Sequence, residues 1–235
     1  MSKHFTDTTT PTRRVVDVFT RVLHALMAIS FGLAYASAEV DALRLVHVTL
    51  GYTFGAAFLL RVVWGGVGPR RVSLRALGGR LSGLGQTLEL LRRLELAQLL
   101  QRVLPLSMVA LLLCAPIVVG SGYVTYFHGL GAWGEDIHES LASAMVLLAS
   151  GHVGAVVFLR WLRPEHPLRP MLTGRVPGPG PDLVKHNGAA AAIALLLLVL
   201  GFWVWQAEQY RVDPQFMAQP RWLHPVGGYA ENEDD

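Results

Sequence analysis

Five apolar runs, at about residues 18–37, 43–65, 104–124, 138–159 and 189–207, constrain this chain more than any other feature. Each is close to the ~20 residues with which a helix, rising ~1.5 Å per residue, crosses the hydrocarbon core of a bilayer. A helix satisfies its own backbone groups, so apolar runs of this length are stable in lipid as helices and as little else. Of 235 residues, 52% are hydrophobic and only 16% charged, which excludes an ordinary soluble enzyme. The expected fold is all-α, with five transmembrane helices. The first run is too long for the apolar stretch of a signal peptide, and Ala36-Ser-Ala38 is the nearest thing to a cleavage site, so the run is read as a retained anchor.

The basic residues indicate orientation. Of the 20 Lys and Arg, 4 fall in residues 1–23, 8 in 61–104 and 5 in 160–188, leaving Arg44, Arg211 and Arg221 elsewhere. The positive-inside rule then places the N-terminus and the 66–103 and 160–188 connections in the cytoplasm, and the 38–42 and 125–137 loops and the C-terminus in the periplasm. Acidic residues gather on the opposite side, as Glu135, Asp136 and Glu139 and as Glu231, Glu233, Asp234 and Asp235. The positive charge is therefore a topology determinant facing membrane lipid, and nucleic acid is not an expected partner.

Residues 1–12 read as a flexible cytoplasmic start. Leu84, Leu88, Leu91 and Leu94 oppose Gln86, Glu89, Arg92 and Arg93, which predicts an interfacial amphipathic helix over 84–102. Pro105 suits the opening turn of the third span, whereas Pro116 falls inside it. The run Val176-Pro-Gly-Pro-Gly-Pro181 is not helical, and 176–188 reads as a linker between a four-span unit, 13–175, and the fifth span, 189–207. Trp203 and Trp205 are expected at the outer headgroup layer, followed by an acidic tail, 208–235.

Four histidines, His24, His47, His138 and His152, lie within the apolar runs or at their ends, where an imidazole needs a partner. His138 and His152 are 14 residues apart, which at ~100° and ~1.5 Å per residue puts them within about 40° of one helix face and about 21 Å apart. With the topology above, His47 matches His138 in depth near the outer surface, and His24 matches His152 near the inner one. A single such histidine is more often an interhelical hydrogen-bonding residue than a ligand. Four at two matched depths are what two six-coordinate haems in a bundle require. Zinc or copper would be short of donors, since no Asp, Glu or Cys lies at either depth. The single cysteine, Cys114, excludes a disulfide framework, covalent haem attachment and a cluster held by this chain alone. Gly51, four residues after His47, would admit a flat macrocycle to the backbone. Arg61, 14 residues after His47, stands at the inner level, either as a partner of haem propionates or as a snorkelling interfacial cation. His4, His128, His166, His186 and His224 lie outside the spans.

The runs Arg21-Val-Leu-His24, His47-Val-Thr-Leu-Gly51-Tyr52, Arg61-Val-Val-Trp64-Gly-Gly-Val-Gly68, His138-Glu-Ser-Leu-Ala142 through His152, and Met171-Leu-Thr-Gly-Arg175 resemble the bacterial cytochrome b561 and hydrogenase-type cytochrome b family over residues 13–175. The resemblance implies a four-helix membrane bundle holding two haem b groups, with His24, His47, His138 and His152 as the ligands. It also implies electron exchange between quinone or quinol and a membrane or periplasmic redox protein, a cytochrome c or a dehydrogenase subunit, in the bacterial inner membrane. Such a chain is an electron-transfer subunit rather than a stand-alone catalyst. Ala25 stands where the family usually has Trp, and the fifth span and tail exceed the four-helix core, which makes them candidate docking elements. Two other readings stay open: a quinone-linked, superoxide-oxidising enzyme, as in shorter family members, and a haem-free anchor or assembly subunit of a respiratory or photosynthetic complex.

Overall fold

The computed structural model describes residues 11–67, 96–126, 132–162, 169–184 and 186–212. They form a short strand β1 (Thr12–Arg14), helix α1 (Val18–Ser37), a 3-10 turn (Asp41–Leu43), α2 (Arg44–Val67), α3 (Leu96–Tyr126), α4 (Ala132–Leu162), a one-turn α5 (Arg169–Thr173), strand β2 (Arg175–Pro177) and α6 (Ala189–Val212). Helices α1, α2, α3, α4 and α6 are each long and apolar enough to cross a membrane, as the five runs require. The chain is thus an all-α multi-pass membrane protein.

Packing is uneven in a way that matters for the site. Helices α1 and α2 pack along each other, as do α3 and α4, while the two hairpins meet mainly through α2 and α3. Between them lies an apolar layer of Phe54 and Phe58 from α2, Ala115 and Val118 from α3 and Met145 from α4, all buried, with Phe31 of α1 against it. The Phe31 and Phe54 rings are 5.5 Å apart. A second cluster joins Phe19 and Leu23 of α1 and Ala57 of α2 to Ala192 and Leu195 of α6.

α1 begins where it does because Asp17 caps it. Its Oδ1 accepts from Thr20 N at 2.7 Å and its Oδ2 from Thr20 Oγ1 at 2.9 Å, satisfying an orphan amide of the first turn. α1 and α2 are joined by so few residues that they must be antiparallel neighbours.

Several expectations need correction. Thr12, assigned to a flexible start, belongs to β1 and pairs with Pro177, and Arg13 pairs with Val176. The Pro/Gly segment is therefore more than a linker. Its first residues form β2, Gly174 O accepts from Val15 N and Val16 N at 2.8 and 3.2 Å, Leu183 N donates to Arg14 O, and Asn187 O accepts from Val18 N. Prolines cannot donate, so the register is held by the residues between them and by the strand before α1. Gly174 adopts φ +75° with Val16 O 2.6 Å from where a Cβ would stand, a position only glycine fills. Pro105 lies inside α3, which starts at Leu96, rather than opening it. Residues 96–102 are the first turns of α3, and the remainder of the anticipated interfacial helix, 84–95, lies outside the described residues. α6 extends to Val212, and the tail beyond it lies outside them too. The Trp203 indole N–H donates to Thr53 Oγ1 on α2 at 2.8 Å, tying α6 to the second span.

Candidate cofactor site

The four histidines arrive at the site on three helices: His24 on α1, His47 on α2, His138 and His152 on α4. At one level, the rings of His47 and His138 face each other across the boundary between the hairpins, their centres 6.2 Å apart and their planes nearly perpendicular, at 85°. At the other, His24 and His152 are close enough to interact electrostatically. Of the two pairs expected from depth, the fold sets the rings of His47 and His138 in contact and brings His24 within electrostatic reach of His152. The two levels are separated by the apolar layer, in which Met145 stands seven residues from each histidine of α4, about 10.5 Å by the helical rise.

Three of the rings are held by their Nδ1 atoms. His47 Nδ1 is 2.8 Å from Ala34 O, a carbonyl in the last turn of α1 that Ala38 N leaves in favour of Tyr35 O and that also accepts from Ser37 Oγ at 3.0 Å. His138 Nδ1 is 3.0 Å from Ser121 Oγ, and His152 Nδ1 is 2.8 Å from Ser107 Oγ. Both serines come from α3. Ser107 and Ser121 have the same 14-residue spacing as the two histidines of α4, so the antiparallel packing of α3 on α4 sets one serine beside each. That coincidence of spacing was available in the sequence, but no reading of α3 alone points to it.

Gly122 was also missed. A Cβ there would stand 2.8 Å from His138 Cε1 and 3.2 Å from its Nδ1, so the ring occupies the room the missing side chain leaves. Gly51, which the sequence did single out, is half-buried with no atom within 4 Å of where its Cβ would be. Arg61 is half-buried and within electrostatic reach of both His24 and Asp17. The Asp17 carboxylate is fully buried, and a cation within reach offsets its charge. Trp64, one turn on, packs edge-on against Phe19 with ring centres 4.7 Å apart, and its buried Nε1 has no acceptor among the described residues. His186 is exposed, and His4, His128, His166 and His224 lie outside the described residues.

These residues fit a haem. Metal–imidazole bonds of about 2.0–2.1 Å on opposite sides of one ion, with about 1 Å more from nitrogen to ring centre, set two axial rings roughly 6 Å apart. His47 and His138 stand 6.2 Å apart. No group of three or more His, Cys, Asp or Glu gathers among the described residues, so each level offers two imidazoles to a group that brings its own equatorial ligands. Gly51 leaves open space near His47, and the unanswered Trp64 N–H lies near the other level.

No curated protein and no solved structure matches the chain. The family model for prokaryotic cytochrome b561 matches residues 15–174, from the residue that follows β1 to the glycine whose carbonyl it bonds, and so takes in all four histidines. Members of that family bind haem b, generally through histidines, and transfer electrons within membranes. With well over half its length matched, five membrane-spanning helices and paired imidazoles between two hairpins, the chain belongs to the prokaryotic cytochrome b561 family.

Proposed function

We propose that this chain conducts electrons across the bilayer through two haem b groups, one held by His47 and His138 and the other by His24 and His152, exchanging them with quinone or quinol and with a membrane or periplasmic redox protein. The bacterial inner membrane, with the N-terminus cytoplasmic and the C-terminus periplasmic, is the setting that the distribution of Lys and Arg favours. The observation that carries the reading is the pair of facing rings on α2 and α4, 6.2 Å apart.

Bound haem supplies a one-electron couple at each level. The protein's own contribution is positional. Two imidazoles per level leave no open coordination position, which favours electron transfer with little rearrangement over oxygen chemistry. Ala34 O, Ser121 and Ser107 orient three of the rings, Gly51 leaves the backbone approachable, and Arg61 and Trp64 present positive charge and a donor at the inner level. The layer of Phe54, Phe58, Ala115, Val118 and Met145 excludes water between the levels and packs the path that joins them.

A reduced-minus-oxidised spectrum with haem quantitation on wild type and His138→Ala tests this. Two haems falling to one supports it. A wild-type protein with no α-band near the position of b-type haems, or a variant that keeps both, overturns it and favours a haem-free anchor.

A further inference from the structure

The two serines of α3 do more than fill space, and counting hydrogens shows what. A serine hydroxyl has one proton to donate and two lone pairs to accept with. Ser107 Oγ–H is directed to Leu104 O at 2.9 Å, and Ser121 Oγ–H to Val118 O at 2.9 Å, each bonding back within its own helix. With that proton committed, the oxygen meets His152 Nδ1 at 2.8 Å, or His138 Nδ1 at 3.0 Å, as an acceptor. Both bonds of each serine are satisfied together when the imidazole carries its proton on Nδ1, which leaves the Nε2 lone pair free. Ala34 O, which can only accept, imposes the same tautomer on His47.

We infer that Ser107 and Ser121 are positioning residues, each fixing the tautomer of one α4 histidine and setting the reduction potential of one haem separately from the other. This rests on the ligation proposed above. A ring that donates Nδ1–H to an oxygen is a more basic ligand at Nε2 and stabilises the oxidised metal. Removing the serine should therefore raise the potential of that haem alone, by less at His138, where Val118 O remains as a second acceptor, than at His152. The spacing of 14 residues on both α3 and α4 makes the two adjustments independent, because each serine reaches one histidine and lies about 21 Å along the helix from the other serine.

The test is redox titration of the full chain in bilayers, comparing wild type with Ser107→Ala, Ser121→Ala and the corresponding Thr and Cys variants. Ser121→Ala is expected to shift toward reduction, by up to about tenfold in the equilibrium or about 59 mV for a one-electron couple, the haem that His138→Ala removes. Ser107→Ala should shift the other. Thr, which keeps the hydroxyl, should restore each wild-type potential. Cys, a weak acceptor, should fall between Ser and Ala, and it carries the same prediction if an Ala variant fails to assemble. Unchanged potentials in the Ala variants, equal shifts of both haems, or no restoration by Thr overturn the inference. A wild type without two b haems, or His138→Ala retaining both, fails the ligation reading instead, so the two failures are distinct.

Discussion

Replacing Gly122 by Ala separates the fold from the site. In a helix interior the substitution is worth about 0.8–1.0 kcal/mol in favour of Ala. Here the added Cβ would meet His138 Cε1 at 2.8 Å, Nδ1 at 3.2 Å and Nε2 at 3.4 Å. Restoring a carbon–carbon separation of about 3.5 Å requires the ring or α3 to withdraw by about 0.7 Å, and forced packing of this kind costs about 1–3 kcal/mol. The two effects nearly offset in overall stability. They do not offset at the site, where a ligand set tolerates about 0.5 Å of displacement and where the bond to Ser121 would be stretched as well. The expected result is a thermal midpoint within a few degrees of wild type together with at least a tenfold weaker hold on one haem, as misplacing a ligand's supporting contacts typically gives. Haem per polypeptide, measured after solubilisation and dilution, provides the assay. Gly120→Ala is the control on the same helix, since nothing lies within 4 Å of its Cβ position. A Gly122→Ala protein with two tightly held haems and an unchanged spectrum would refute the argument that His138 uses this space.

Two further outcomes follow from the contacts of α6. Trp203→Phe keeps the ring and removes the N–H donated to Thr53 Oγ1, so the thermal midpoint should fall by an amount matching about 0.5–1.5 kcal/mol, with both haems retained; an unchanged midpoint would contradict a structural role for that bond. Deleting 182–235 removes the Asp182 carboxylate bonded to Arg14 N, the Asn187 carbonyl bonded to Val18 N, and the Ala192 and Leu195 side chains over Leu23, so haem should be lost on warming first from the level of His24; simultaneous loss from both levels would count against it.

The elements that composition and periodicity foretell are those whose cause is local. A bilayer demands about 20 apolar residues per span, and the five helices follow. The depth matching of His24 with His152 and of His47 with His138 needs only topology and the helical rise, and it too is visible in the sequence. What was not legible arises between segments far apart in the chain. Nothing local to Thr12 signals a strand, because its partner is Pro177. Nothing local to Trp203 signals its bond to Thr53, 150 positions away. Ser107, Ser121 and Gly122 look like the ordinary small residues of a membrane helix, and their relation to His152 and His138 exists only once α3 lies against α4.

That relation also explains why α6 can be an addition without being an independent unit. The family match ends at Gly174, whose carbonyl accepts from Val15 N, the residue at which the match begins. The four-helix unit is thus closed on itself by backbone hydrogen bonds at one end, and both histidine levels are complete within it. The segment 175–188 then turns back along the same strand and delivers α6 to the face formed by Phe19, Leu23 and Ala57, away from the α3/α4 hairpin that carries the serines and two of the histidines. In lipid this contact gains little from apolar burial, because hydrocarbon chains would cover the same face equally well. Its specificity must come from shape and from the polar bonds at Thr53, Val18 and Arg14. α6 thus lies against both the helix that carries His24 and the helix that carries His47, and its bond to Thr53 falls six residues along α2 from His47.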